Sequence, residues 1–161
     1  MGKSRLKEIF SEELIVLDHA PFYDKKEAFS FMAELFLKAG CISDTEKYIA
    51  ALNYRETLGS TYMGSYLAIP HGKCKEVTTS AMAFCRCSEP FIYQSEDEEG
   101  EVKYIFALAI EEQQHSEEYL KVLAELAGLL ADENFIEIVA KAQSSKDIAD
   151  GLQKIEIEME E

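Results

Sequence analysis

A chain of 161 residues, 47% hydrophobic and 29% charged, is sized for one globular domain with its own core. A net charge of −15 and a pI near 4.6 disfavour nonspecific binding to nucleic acid or to an anionic membrane. No segment has the apolar length of a membrane span; the longest, Tyr104 to Ile110, is strand-sized, so no direct membrane insertion is expected.

The N-terminus, Met1-Gly2-Lys3-Ser4-Arg5, leads into a charged amphipathic stretch without a secretory core. Leu6 stands where a myristoylation motif places Ser or Thr. The expectation is a cytoplasmic protein whose Cys41, Cys74, Cys85 and Cys87 are reduced. Leu14 to Leu17 reads as a strand following a short N-terminal helix, and His19 as a structural or solvated loop residue. Asp24 is placed to cap a helix with Ala28, Phe31, Met32, Leu35, Phe36 and Ala39 at helical spacing, ended by Gly40. Ser43-Asp44-Thr45-Glu46 matches a capping box that opens a second helix through about Thr57. Arg55 then falls in its last turn, ahead of a loop from Gly59 to Gly64.

Leu67-Ala68-Ile69 reads as the end of a short buried strand. Pro70 fixes its own φ and holds Ile69 extended, which sets His71 on a stiff, exposed turn. Gly72 then lets another backbone or a ligand approach closely. Ser80 to Cys87 and Val102 to Ile110 read as strands joined by a polar turn, Ser95 to Gly100. The second is apolar on both faces, as at the centre of a covered sheet. Cys85 and Cys87 flank Arg86 and share one sheet face, which suits packing, and no second CxxC-type pair supports a metal site. Helices are expected over Ser116 to Leu130, Asp132 to Lys141 and Lys146 to Leu152. Lys154 to Glu161 alternates Ile155, Ile157 and Met159 with acids, as an edge strand or an acidic tail. The pattern predicts one α/β domain over residues 1–161, a central mixed β-sheet flanked by helices on both faces.

A neutral imidazole at His71 is a competent nucleophile toward phosphorus as well as a general base. By residue type alone, Arg55 reads as a cation favoured at a helix C-terminus. Gly59-x-x-x-x-Gly64 has a P-loop's glycine spacing, but Ser65-Tyr66 stands where Lys-Ser/Thr is needed, which removes nucleotide binding.

Arg55-Glu56, Gly59-Ser60-Thr61, Gly64 and Ala68-Ile69-Pro70-His71-Gly72 together resemble the active-site block of enzyme IIA components of the fructose/mannitol type. These belong to the phosphoenolpyruvate-dependent sugar phosphotransferase system. The similarity runs from Leu14 to about Leu152 and includes Leu120-Lys121-Val122-Leu123-Ala124-Glu125-Leu126-Ala127 and Asp132-Glu133-Asn134-Phe135. It implies a phosphocarrier in which His71 accepts a phosphoryl group from the carrier protein HPr. The group then passes to a cysteine or histidine on a cognate enzyme IIB, a cysteine being what this family implies. The resemblance also places Arg55 near the phosphohistidine, with Ser60, Thr61, Gly64 and Gly72 in the loops around it. It implies no metal, nucleotide or other cofactor. Many members carry a second histidine in a Glu-His-Leu triplet; here Glu118-Tyr119-Leu120 puts tyrosine there, with His115 one helical turn earlier. Either Tyr119 or His115 stands in for that group. Tyr62 and Tyr66 also occupy positions that are often small. Nitrogen-type enzyme IIA proteins and regulator domains are similar too, which leaves a phosphorylation-sensing binding module as the alternative function.

Overall fold

The computed structural model describes residues 9–96, 98–113 and 116–160. The long hairpin of β5 (Ala81–Gln94) and β6 (Glu99–Glu111) forms its centre, antiparallel from Ala81↔Ala109 to Gln94↔Glu99. β1 (Phe10–His19) pairs parallel to β5 and forms one edge. On the other side of β6, β3 (Leu67–Ala68) pairs with Tyr104 and Ile105, and β4 (His71–Cys74) with Leu108 to Glu111, both parallel. β2 (Tyr62–Gly64) pairs antiparallel to β3 at the outer edge, so the six-stranded sheet is mixed.

Alternation along β5 and β6 assigns the two faces. Ala83, Cys85, Cys87, Ala107 and Ala109 make one face of small side chains. The aromatic-rich helices α1 (Lys25–Lys38) and α2 (Thr45–Thr57) settle on it through Phe29, Met32, Phe36, Tyr48 and Leu52. Met82, Phe84, Phe106, Leu108 and Ile110 make the opposite face. That face is covered by α3 (Ser116–Leu130), α4 (Glu133–Lys141) and α5 (Ser145–Glu160) through Val122, Leu126, Leu129, Phe135, Val139 and Ile148. Large side chains from the helices meet small ones from the sheet on the first face, which keeps both layers close-packed. Among the described residues no helix is long and apolar enough to cross a membrane.

Local signals act where they stand. The Asp24 carboxylate accepts from the Glu27 N–H at 2.9 Å and starts α1. Gly40, at φ +79°, ends it with Cys41 N bonded to the Phe36 carbonyl and Gly40 N to that of Leu37. In α2 the cap is Asp44, accepting from Lys47 N, one residue later than the box opened by Ser43; the Ser43 N–H is taken by the Glu76 carbonyl.

Several expectations are corrected. β1 is ten residues long, not four, and the N-terminal helix expected before it lies largely outside the described residues. β5 continues past Cys87 to Gln94: a register irregularity between Arg86 and Phe91 absorbs Pro90, which cannot donate to the ladder. The C-terminal stretch is neither edge strand nor tail but the second half of α5. Its Gln, Lys, Glu and Met residues favour helix, and α5 packs along β1. His19 closes β1 half-buried, with its ring 4.5 Å from that of Phe22 and 4.4 Å from that of Phe31. Cys85 and Cys87 are both buried in the core.

Arg86 is a buried cation in mid-strand. It donates from Nη1 to the carbonyls of Val139 and Ala140, at 2.9 and 3.3 Å, and from Nη2 to Asp18 at 3.1 Å. The guanidinium thereby ties the C-terminal carbonyls of α4 to the sheet. Arg86→Met keeps the apolar stem but strands those carbonyls. It is expected to lower the unfolding free energy by about 1–3 kcal/mol, read as a fall in the urea midpoint. A wild-type midpoint would show that water replaces the guanidinium there without loss.

Candidate active site

Two backbone events bring His71 into place. β3 ends at Ala68, and Ile69-Pro70 carries the chain across to β4, where the Pro70 carbonyl accepts from Leu108 N at 3.0 Å. His71 therefore opens a strand and is only 3% exposed, not set out on a surface turn. The turn expectation fails because β4 joins the central sheet and α2 lies across it. Gly72 makes that seating possible: a Cβ there would stand 3.0 Å from Tyr48 Cε1, 3.2 Å from Ala51 Cβ and 3.2 Å from Leu52 N. The close approach that glycine permits is made by the α2 backbone.

Both ring nitrogens of His71 are engaged, and the partners define the tautomer. Nδ1 lies 2.9 Å from the Ile69 carbonyl, which can only accept, so Nδ1 carries the proton. Nε2 accepts from Arg55 Nε–H at 3.0 Å, so Nε2 holds the lone pair. A second proton on the ring would set N–H against N–H. Burial pushes the His71 pKa below its ordinary value near 6.5; the Ile69 bond works against that shift, Arg55 reinforces it and Glu56 opposes it. A neutral imidazole thus points its nucleophilic nitrogen at a guanidinium.

Arg55 lies in the last turn of α2 and donates from Nη1 to the Gly59 carbonyl at 2.8 Å, which fixes the fork over the ring. Tyr119 covers another side, its ring centroid 5.7 Å from that of His71 and tilted by 58°. Lys73 Nζ stands 5.7 Å from the Tyr119 ring centroid. Burial raises the Tyr119 phenol pKa and Arg55 pulls it down, with burial prevailing, so the hydroxyl stays protonated at neutral pH. Of the two stand-ins for the second family histidine, Tyr119 is brought to His71, and His115 lies outside the described residues.

The loop residues divide. Ser60 and Thr61 turn their hydroxyls inward: Thr61 Oγ1 lies 2.5 Å from Glu56 Oε2 and 2.6 Å from Tyr93 OH, and Ser60 Oγ lies 3.1 Å from Ser95 Oγ. Gly64 sits in the β2–β3 turn, where Gly64, Ser65 and Tyr66 all have positive φ, opposite Leu67. Leu67 pairs with Tyr104, four residues along β6 from Leu108, the partner of His71. That is roughly 13 Å of strand. The structure gathers His71, Arg55, Gly72 and Tyr119, with Ser60 and Thr61 behind them and Gly64 away from them. Residue-by-residue reading missed the Ile69 carbonyl and the cluster around Glu56. Glu56 stands in the quoted Arg55-Glu56 pair, but its partners Lys25 and Ser95 are more than thirty residues distant.

Comparison with known proteins identifies the family and the fold. The family described as "Phosphoenolpyruvate-dependent sugar phosphotransferase system, EIIA 2" matches residues 8–155. The 2-O-α-mannosyl-D-glycerate-specific EIIABC component of Escherichia coli K12 is 33% identical over 79% of this chain, which spans 19% of that protein's length. The crystal structure of the nitrogen regulatory protein IIA-Ntr from Neisseria meningitidis superposes with a TM-score of 0.80. It is 30% identical, with 91% of this chain and 97% of that one covered. Enzyme IIA-Mtl in its complex with phosphorylated enzyme IIB-Mtl from Escherichia coli gives a TM-score of 0.73 at 26% identity, covering 91% and 99%. A buried histidine with a defined lone pair, an arginine fork upon it and a matching fold over nearly the whole chain lead to one conclusion. The chain belongs to the EIIA 2 family, the fructose/mannitol type of enzyme IIA in the phosphoenolpyruvate-dependent sugar phosphotransferase system.

Proposed function

We propose that this chain is a cytoplasmic phosphoryl carrier: His71 Nε2 attacks the phosphorus of the phosphohistidine on HPr and later yields the group to a cysteine of a cognate enzyme IIB. One observation carries the reading, the Nε2 lone pair of a neutral, buried His71 held 3.0 Å from the Arg55 guanidinium. In the first step the new N–P bond forms as the N–P bond to HPr breaks, and the HPr ring recovers its lone pair. In the second a thiolate of IIB forms an S–P bond, and His71 regains its lone pair with Nδ1–H still on Ile69. Phosphoryl transfer asks the protein chiefly for positioning and for charge on the transferred oxygens. Once Nε2 bears phosphorus it no longer accepts from Arg55, and the guanidinium turns its N–H groups to the phosphoryl oxygens.

Tyr54 and Leu58, close in sequence to Arg55, and Leu120, next to Tyr119, are exposed apolar side chains of the kind on which protein partners dock. The solved complex of a similar IIA with phosphorylated IIB supports IIB as the acceptor. Incubation with phosphoenolpyruvate, enzyme I and HPr tests the reading: mass spectrometry without acid is expected to find one acid-labile phosphate. Likeness to the nitrogen regulatory IIA-Ntr favours a second reading, a binding module that uses the same phosphohistidine as a signal. Chase with purified IIB separates the two, since a carrier loses its label to IIB and a sensor keeps it.

Tyr119 lends itself to a graded test. Tyr119→Phe keeps the ring against His71 and removes one hydroxyl, a loss of about 0.5–1.5 kcal/mol and so a several-fold slower transfer from HPr. His115→Ala is expected to slow transfer less. The reverse ranking would assign the second-histidine role to His115.

A further inference from the structure

Glu56 follows Arg55 directly but faces the other way, its side chain only 8% exposed. Its Oε1 accepts from Lys25 Nζ at 3.0 Å, with Ser95 Oγ 3.4 Å away. Its Oε2 accepts from Thr61 Oγ1 at 2.5 Å. With the single Thr61 hydroxyl proton on the carboxylate, Tyr93 OH is the donor in the 2.6 Å contact with Thr61 Oγ1. One carboxylate thus joins the first turn of α1, the end of β5 and the Ser60-Thr61 loop to the last turn of α2.

Those bonds continue to the imidazole. The Thr61 carbonyl accepts from Ile69 N at 3.0 Å, and the Ile69 carbonyl accepts from His71 Nδ1 at 2.9 Å. His71 Nε2 accepts from Arg55 Nε, and Arg55 is bonded through its peptide to Glu56. The circuit closes on itself. We propose that Glu56 is the positioning residue of the site, its anchored carboxylate holding both partners of His71, the Ile69 carbonyl on Nδ1 and the Arg55 fork on Nε2. The proposal rests on the carrier reading for its kinetic consequence and on geometry alone for the tautomer. Glu56 never touches the phosphoryl group. It acts through Thr61 on one side and through the rotation of the α2 terminus on the other. Its negative charge also offsets that of Arg55 at the ring.

The test pairs transfer kinetics with 15N spectroscopy of the imidazole. The chain holds three histidines, so a His71→Gln spectrum assigns the resonances. Wild type is expected to show His71 as the Nδ1–H tautomer. In Glu56→Ala the two ring nitrogens should move toward the averaged shifts of a mixed tautomer, with transfer from phosphorylated HPr slowed up to about a hundredfold. Glu56→Gln, which keeps an acceptor for Thr61, should recover part of both. Thr61→Val breaks the circuit without removing the charge and should move the shifts in the same direction, so it decides the matter if Glu56→Ala does not fold. A folded Glu56→Ala or Thr61→Val protein with wild-type ring shifts overturns the proposal. Displaced shifts, in a protein whose wild type takes no phosphate from HPr, uphold the positioning role and overturn the carrier reading.

Discussion

His71→Ala is expected to take up no phosphate from phosphorylated HPr, with the wild-type chain labelled once and on Nε2. The atom follows from the geometry. Nδ1 is committed as a donor to the Ile69 carbonyl, and Nε2 alone carries a lone pair. A phosphoryl group on Nε2 leaves the Nδ1–H bond intact, whereas one on Nδ1 would break the contact that orients the ring. The loss should be complete, because nothing else among the described residues combines a lone pair of this kind with an arginine fork at the matching position. Heteronuclear phosphorus–nitrogen couplings on labelled protein identify the bonded nitrogen. The pH dependence follows in sign from burial. A folded-state pKa below 6.5 keeps the acceptor neutral further into acid than a free imidazole, so transfer should persist as pH falls through 6.5 and fail only lower. Stoichiometric labelling of His71→Ala, or a rate that drops with a midpoint above 6.5, would remove the assignment.

Arg55→Ala is expected to slow transfer by roughly ten- to hundredfold, the rate equivalent of about 1.5–3 kcal/mol of charge-assisted hydrogen bonding to the transferred group. Two contacts are lost at once. The Nε donor that marks the lone pair disappears, and so does the Nη1 bond that fixes the α2 end to Gly59. Thermal unfolding followed by circular dichroism separates them, because a lost helix-end contact lowers stability without a matching loss of rate. Arg55→Lys should recover only part of the rate: an ammonium can donate to one phosphoryl oxygen but cannot hold Nε2 and Gly59 together as the planar fork does. Wild-type transfer in both variants would reduce Arg55 to a helix-terminal cation, the role its position alone suggests.

Much of this protein was legible in the chain itself, for a physical reason that differs from feature to feature. Asp24 and Gly40 mark the ends of α1 because caps act over three or four residues. The apolar run of β6 reveals a strand covered on both faces because burial on both sides replaces alternation with a near-continuous apolar stretch. The block from Arg55 to Gly72 announces the family through residue types at fixed spacing. Lys154 to Glu160 was ambiguous for the opposite reason: strand alternation and helix propensity coincide there, and the stretch continues the helix that opens at Ser145. His71 looked exposed because Pro-His-Gly is a turn-like triplet; it is buried because β4 joins β6 and Gly72 lets α2 settle within 3.2 Å of the position a Cβ would take. The site's order is likewise tertiary. Glu56 needs Lys25 from α1 and Ser95 just past the end of β5, 31 and 39 residues away, and no local pattern records such partners. Spacing along a chain reports interactions within a turn or a pleat, so the sequence by itself determined most of the elements and the family, and it pointed to His71 as the candidate nucleophile. Which nitrogen carries the lone pair, and what holds it toward Arg55, depend on contacts that exist only once the sheet has closed between its two helical layers.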